Sequence, residues 1–226
     1  MPRSPASPRS PTRSTRAACR AATAAADPLM SASGASLVEF LEVMRRLRAE
    51  CEWKQSQTHR SLARYLLEES HETLEAIDSG DPEHLREELG DLLLQIYFHA
   101  VIAEESGDFT IDDVAGGIIE KMVRRNPHVF GTERDGAMTP ADVNTLWESV
   151  KAAEKKREFV TDGIPPGLPA LLYADKVLDR LTRAGDPVTV AASPDLGERL
   201  LALVAEARAD GVDPEQALRD AVRRRL

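Results

Sequence analysis

Acidic residues at helical spacing form the most informative pattern in this sequence. One segment carries Glu68, Glu69 and Glu72, and a second segment carries Glu88 and Asp91. Residues three or four positions apart share one face of a helix, so the carboxylates of each segment converge on one face. Carboxylates on two facing helices can bind a divalent cation, and such a cation can bridge an acidic protein to a polyanionic substrate.

Two of these carboxylates interrupt apolar stripes. One stripe runs through Leu62, Leu66, Glu69, Thr73 and Ile77, and the other through Leu85, Glu88, Leu92 and Ile96. A carboxylate that faces a protein core is costly unless it is paired or bound to a cation. Carboxylates that face one another also repel and take up protons unless a divalent ion is present. Ligation by oxygen alone suits magnesium or manganese better than zinc or copper, so the pattern predicts a magnesium or manganese site.

Two other interpretations of the acidic residues stay open at this point. Glutamate-rich helix segments are often solvated surface, and Glu68-x-x-His71 matches one element of the bundles that hold two irons. The second segment offers Glu88-x-x-Asp91 without a second Glu-x-x-His. His71 also lies off the apolar stripe, which favours a surface histidine over an iron ligand.

The elements that carry these residues are all predicted to be helices. Apolar residues recur at i, i+3, i+4 and i+7 over 36–51, and similar patterns predict helices over 59–78, 83–106, about 111–125 and about 140–159. The run Ser79-Gly80-Asp81-Pro82 supplies a stop, a turn and a proline at a helix start. So short a connection makes its two helices adjacent and antiparallel. The sequence therefore predicts an all-α bundle built on an antiparallel helix hairpin with an acidic metal site.

Composition divides the chain into three parts. Residues 1–34 form a basic tail rich in Pro, Ser, Ala and Arg, which we expect to be disordered. Residues 35–160 contain the helices of the acidic site. Residues 161–226 begin with a linker, GIPPGLP, and continue with three weaker helices near 168–184, 195–209 and 213–225. Asp195-Leu196-Gly197-Glu198 faintly repeats the second acidic segment without any Glu-Glu-x-x-Glu, either as an internal repeat or as a chance similarity between two leucine-rich helices.

Composition also argues against several classes of partner. The net charge of −9 disfavours nucleic acid, because duplex binding needs a basic face. Two cysteines, Cys19 and Cys51, are too few for a disulfide framework and indicate a reducing compartment. No apolar run approaches the ~20 residues that span a bilayer. We therefore expect a cytoplasmic protein without a membrane or nucleic-acid partner.

The motifs resemble those of the all-α nucleotide pyrophosphohydrolases, and in particular the MazG family. The shared pattern is Glu-Glu-x-x-Glu, a spacer and Glu-x-x-Asp. Similar stretches extend over about 37–185 and include Met44-Arg45-x-Leu47-Arg48, Cys51-x-Trp53, Gln57-Thr58, Lys121-x-x-Arg124-Arg125-x-Pro127-His128 and Trp147-Glu148-x-x-Lys151. The resemblance implies hydrolysis of a nucleoside triphosphate to a monophosphate and pyrophosphate with magnesium or manganese. It also implies a homodimer in which two hairpins form a four-helix core. Because longer family members resemble two tandem copies of the acidic signature, it further implies that residues 161–226 contain a degenerate second copy with a structural role.

The resemblance implies roles for the acidic residues. The expected metal ligands are Glu69, Glu72, Glu88 and Asp91. Glu68 is offset by about 100° from Glu69 around the helix and is the candidate to orient or deprotonate the attacking water. Its alternative role is to support the ligands without contacting water.

Four further residues are candidate substrate-binding residues. Lys121, Arg124 and Arg125 would clamp the triphosphate, because guanidinium groups match phosphate geometry. Their alternative role is to complement the dipole at a helix C-terminus. Trp53 would stack on the nucleobase, or it would pack in the core.

One departure from the family pattern lies beside this tryptophan. The family usually has Cys-Pro-Trp-Asp where this chain has Cys51-Glu52-Trp53-Lys54, a change that would alter the entrance to a nucleotide pocket. Two other functions stay open. One is a catalytically weak helical module that binds or regulates a partner, and the other is a dUTPase-like enzyme of narrow specificity.

Overall fold

The computed structural model describes residues 34–131, 138–154, 158–188 and 193–226, where every regular element is a helix. This confirms the all-α prediction. The helices are α1 (Ala35–Glu50), α2 (Glu52–Gln55), α3 (His59–Ser79), α4 (Pro82–Ser106), α5 (Ile111–Arg125), α6 (Pro127–Phe130), α7 (Pro140–Glu154), α8 (Ala170–Arg183), α9 (Leu196–Ala209) and α10 (Pro214–Arg223). The expected tail lies outside the described residues except for Gly34. Among the described helices, none is long and apolar enough to cross a membrane.

The described helices differ from the predicted ones mainly at one helix end and in two short helices. The helix predicted to reach 159 ends at Glu154. After it, the backbone N–H groups of Glu158 and Phe159 donate to the Asp162 carboxylate in a turn. The short helices α2 and α6 were not predicted, because four residues are too few to show a helical period.

The chain forms two compact units that divide between Ile119 and Glu120. In the first unit α3 packs along α4, and α1 packs on α4 and α2. Local sequence defines the hairpin of α3 and α4. Thr58 caps α3 by accepting from Ser61 N, and Gly80 ends it in the left-handed conformation with φ 71°. Asp81 then accepts from Glu83 N at 2.9 Å and caps α4.

The core of the first unit lies where α1 meets the hairpin. Its buried members are Met44, Leu62, Tyr97, Phe98, Val101 and Ile102. Phe40 packs against Tyr97 at the edge of this core, with ring centroids 5.0 Å apart. Two ion pairs join α1 to α4 at the edge of this core, Arg45 with Glu104 and Arg48 with Glu105.

Part of the predicted apolar stripe on the hairpin is exposed. Leu66 is 37% exposed and Ile77 is 54% exposed, so the prediction that both face the core is wrong for a single chain. Among the described helices α3 packs mainly on α4. The side of α3 that carries Leu66 and Ile77 is therefore left partly exposed by the described part of the chain.

The second unit contains the three helices predicted in the C-terminal part. α8 packs on α9 and α10, and Leu178 of α8 and Val204 of α9 are buried. Arg208 of α9 forms ion pairs with Asp175 and Asp179 of α8. Ion pairs thus support a small apolar interior in this unit.

Two histidines join the start of α3 to the second half of α4. Their Nδ1 atoms, those of His59 and His99, lie 2.7 Å apart. Burial lowers the pKa of His99 from its ordinary value of 6.5, and the neighbouring His59 lowers it further. The unfolded chain therefore binds a proton at His99 more readily than the folded chain does.

We predict that this difference makes the protein less stable as the pH falls below 6.5 toward the lower pKa of folded His99. Urea unfolding at about pH 7.5 and about pH 5.5 measures the loss in the free energy of unfolding between the two pH values. This loss should be smaller in His99→Gln than in the wild type. The matched control is His71→Gln, since His71 is exposed on α3. An equal loss in His99→Gln and the wild type would contradict the prediction.

Candidate metal centre

Three carboxylates from the two hairpin helices converge in the first unit. Glu69 lies on α3, and Glu88 and Asp91 lie on α4. Each offers an oxygen within 4.8 Å of the oxygens of the other two. All three side chains are half-buried. The antiparallel pairing predicted from the short turn thus brings acidic groups on two helices to one place.

A buried threonine joins the backbones that carry these carboxylates. Thr73 Oγ1 donates to the carbonyl oxygen of Glu69 at 2.8 Å and lies 3.5 Å from the carbonyl oxygen of Glu88. Thr73 is one helical turn beyond Glu69 on the same face of α3. Its hydroxyl therefore helps to hold α3 and α4 in register beside the carboxylates.

The carboxylates of the cluster are half-buried and close enough to repel one another. Burial raises the pKa of Glu69, and the neighbouring carboxylates of Asp91, Glu72 and Glu88 raise it further. His84 lies beside the cluster, with Nε2 3.3 Å from Glu88 Oε1. The neighbouring negative charges disfavour ionisation of the Glu69 carboxyl group, whereas a bound divalent cation would favour it.

The other two acidic residues lie at the border of the cluster. Glu72 is exposed and interacts with Glu69 through its carboxyl group, but it is not among the three that converge. Glu68 is also exposed on α3. The ligand role of Glu72 and the water-activating role of Glu68 stay predictions.

The donor set fits a hard divalent cation. Three carboxylates supply oxygen ligands without any histidine or cysteine, and the site is half-open to solvent. Magnesium prefers a few carboxylates and keeps several waters. The residues present therefore fit magnesium or manganese.

Trp53 lies on the surface close to the hairpin. Its side chain is 52% exposed, so the alternative that it packs in the core is wrong. Its ring meets Tyr65 of α3 edge-on, with centroids 6.4 Å apart. Tyr65 is one helical turn before Glu69 on α3, or about 6 Å along the helix axis. The exposed indole of Trp53 thus contacts the helix that carries Glu69, one turn before that residue.

A buried arginine positions the segment that carries this tryptophan. Arg48 donates to the carbonyl oxygens of Lys54, Gln55 and Gln57, and its guanidinium also pairs with Glu105. Lys54, the residue that departs from the family pattern, places its ammonium 5.4 Å from the Trp53 ring centroid.

The three basic candidates lie in the second unit. Arg124 and Arg125 both pair with Glu154, and Arg125 is buried. These two arginines lower the pKa of Glu154 to about 2 through their hydrogen bonds, with that of Arg125 the larger cause. Lys121 is half-buried on the same helix. The role of all three in binding substrate stays a prediction.

Comparison with known proteins assigns the chain to a family. Residues 57–130, which include the whole carboxylate cluster, match the MazG nucleotide pyrophosphohydrolase domain. A 26.1 kDa protein of Streptomyces cacaoi is 48% identical over 196 residues, which cover 83% of this chain and 78% of that protein. The nucleoside triphosphate pyrophosphohydrolase/pyrophosphatase MazG of Thermotoga maritima is 38% identical, over 86% of this chain and 84% of that protein.

A longer relative is the nucleoside triphosphate pyrophosphohydrolase of Mycobacterium tuberculosis. It is 46% identical over 70% of this chain, and the match spans 48% of that protein. The extent of these matches, together with the helical hairpin that they cover, shows that the chain belongs to the MazG nucleotide pyrophosphohydrolase family.

Proposed function

We propose that this protein hydrolyses nucleoside triphosphates to nucleoside monophosphates and pyrophosphate with magnesium or manganese. The observation that carries the proposal is the convergence of Glu69, Glu88 and Asp91 inside the segment that matches the family. Relatives named as nucleoside triphosphate pyrophosphohydrolases support the same reaction.

The acidic residues have separate proposed roles in binding the cation and in activating water. Glu69, Glu88 and Asp91 hold the cation, and Glu72 joins them from the next turn of α3. When bound, the cation neutralises charge on the phosphate oxygens. Glu68 orients a water molecule toward the α-phosphate and accepts its proton.

The nucleoside end of the substrate is proposed to meet Trp53. Its exposed indole offers a flat apolar surface on which any nucleobase can stack. Stacking of this kind tolerates different bases because every base has a π face. The proposal therefore includes several nucleoside triphosphates as substrates.

We predict that the protein turns over several nucleoside triphosphates with magnesium or manganese and none after chelation by EDTA. The measurement is ion-exchange chromatography of the monophosphate formed from common and deaminated triphosphates, including dUTP. Turnover of dUTP alone would replace the proposal by a narrow dUTPase-like activity. The absence of turnover with every triphosphate would contradict it and favour a binding or regulatory module.

We further propose that the protein is a homodimer in which two hairpins form a four-helix core. The apolar side of the hairpin supports this proposal, because Leu66 and Ile77 are exposed in the single chain. A second copy of the chain carries the same apolar surface, and a two-fold interface is formed by the same surface of both copies.

The dimer predicts that Ile77→Asp weakens self-association by roughly a hundredfold, because the substitution places a charge in an apolar interface. Leu218→Asp is the matched control, since both side chains are 54% exposed and Leu218 lies in the other unit. Sedimentation equilibrium measures the dissociation constants. A monomeric wild type, or equal weakening by both substitutions, would contradict the proposed interface.

A further inference from the structure

A buried amide oxygen on α4 has no hydrogen-bond partner among the described residues. Gln95 is 5% exposed, and its side-chain oxygen Oε1 is buried without a hydrogen bond to the described part of the chain. Buried polar side-chain atoms are nearly always satisfied, since an unpaired one has lost its hydrogen bonds to water. An acceptor left in this state indicates a donor from outside the described part of the chain.

The position of Gln95 indicates where that donor comes from. Gln95 follows Asp91 by one helical turn and Glu88 by two, so the three residues share one face of α4. Along the helix axis Gln95 is about 6 Å beyond Asp91. Side chains in a helix lean toward its N-terminus, so the amide group leans toward the turn that carries Asp91.

We propose that Gln95 is a positioning residue of the metal centre, whose amide oxygen accepts a hydrogen bond from the hydration shell of the divalent cation. The inference rests on the part of the proposed function that assigns a cation to Glu69, Glu88 and Asp91. It adds a residue that holds the hydrated ion without contacting it.

The chemistry of the hydrated cation explains why a neutral acceptor is suited to this place. Magnesium dehydrates reluctantly and keeps several waters in protein sites, and each water brings two O–H donors. The carboxylates that bind the ion cannot accept from all of them. An amide oxygen accepts one such hydrogen bond without adding a further negative charge to a cluster that already raises the pKa of Glu69.

A purely structural Gln95 would behave differently on substitution. In that case Gln95→Met would destabilise the metal-free protein and leave its affinity for the ion unchanged. If Gln95 serves the hydrated ion, the metal-free protein carries an unsatisfied acceptor, and methionine of similar volume removes it. The metal-free variant is then at least as stable as the wild type.

The test measures binding of manganese alone by calorimetry, together with urea unfolding in EDTA, on the full chain. Gln95→Met should bind manganese about tenfold more weakly than the wild type, the usual size of an effect from a group outside the ligand shell. Leu94→Met is the matched control, because Leu94 is the preceding residue and packs against the core. Gln95→Glu keeps an acceptor and should bind manganese at least as tightly as the wild type.

Unchanged manganese affinity in Gln95→Met, or equal losses in Gln95→Met and Gln95→Glu, would overturn the inference. The outcome is separate from that of the proposed function. If the protein binds manganese and shows the Gln95 effect but hydrolyses no triphosphate, the proposed function fails and the role of Gln95 stands. If it hydrolyses triphosphates with manganese affinity unaffected by Gln95→Met, the role of Gln95 fails alone.

Discussion

Asp91→Asn is expected to lower kcat/KM for nucleoside triphosphate hydrolysis by about a thousandfold, the scale seen when one preorganised electrostatic group is removed from an active site. Asparagine has the shape of aspartate but carries no charge, so the variant keeps the packing of α4 and weakens the hold on the cation. Steady-state kinetics with magnesium measure the loss, and circular dichroism checks that the helical content is retained.

The matched control for this substitution is Glu87→Gln on the same helix. Glu87 is exposed and lies outside the converging cluster, so its replacement removes one charge without removing a ligand. Glu87→Gln should keep activity close to that of the wild type. Wild-type turnover by Asp91→Asn, in a protein of unchanged helical content, would rule out the metal centre described for α3 and α4.

Arg48→Met is expected to lower the free energy of unfolding by about 3 kcal/mol, because it removes the donor of several hydrogen bonds made by a buried side chain. Arg48 is buried, pairs with Glu105 and donates to the carbonyl oxygens of Lys54, Gln55 and Gln57. Methionine replaces the apolar stem but none of these hydrogen bonds. The carbonyl groups around α2 then lose their donor, and the segment that presents Trp53 loosens.

Urea unfolding measures the free energy of unfolding of Arg48→Met and of Arg46→Met. The comparison separates the loss caused by removing Arg48 from the loss caused by removing another arginine of α1. Arg46 is exposed and pairs with Glu50 on its own helix, an arrangement worth about 0.5 kcal/mol or less. Equal and small losses in the two variants would show that Arg48 does not organise the Trp53 segment. Because this segment is proposed to bind the nucleobase, Arg48→Met should also raise KM.

The parts of this molecule that follow from short-range patterns could be predicted from sequence. The hairpin depends on a helical period on each side of Gly80-Asp81, and both helices end within one residue of their predicted bounds. Glu69 and Glu88 could be singled out because each interrupts an apolar stripe, and a short turn forces two such stripes together. The convergence of these residues with Asp91 needs no information beyond this local geometry.

The parts that depend on distant partners could not be predicted. Arg124 and Arg125 pair with Glu154, which lies on another helix, and no local pattern links them. The burial of Gln95 could not be predicted either. A glutamine in a leucine-rich helix does not reveal from sequence that it is buried or that its side-chain oxygen has no hydrogen-bond partner among the described residues. The exposure of Leu66 and Ile77 could not be predicted from helical periodicity either. An apolar stripe predicts that a helix has an apolar face, but it does not show whether the same chain or another molecule covers that face.

The two units differ in the chemistry of their side chains. The first unit holds the carboxylate cluster, the exposed Trp53 and the buried Gln95, and it accounts for most of the segment that matches the MazG domain. The C-terminal helices of the second unit are held by ion pairs such as those of Arg208. The prediction that these helices are a structural extension assigns them no role in the reaction.

The central claim is that the carboxylates on α3 and α4 direct hydrolysis to the bond between the α and β phosphates. Phosphorus NMR of a nucleoside triphosphate incubated with the protein and magnesium tests it most directly, because each cleavage leaves different phosphorus signals. We predict signals of the nucleoside monophosphate and pyrophosphate with the wild type, and neither signal with Asp91→Asn. Signals of orthophosphate and a nucleoside diphosphate would contradict it.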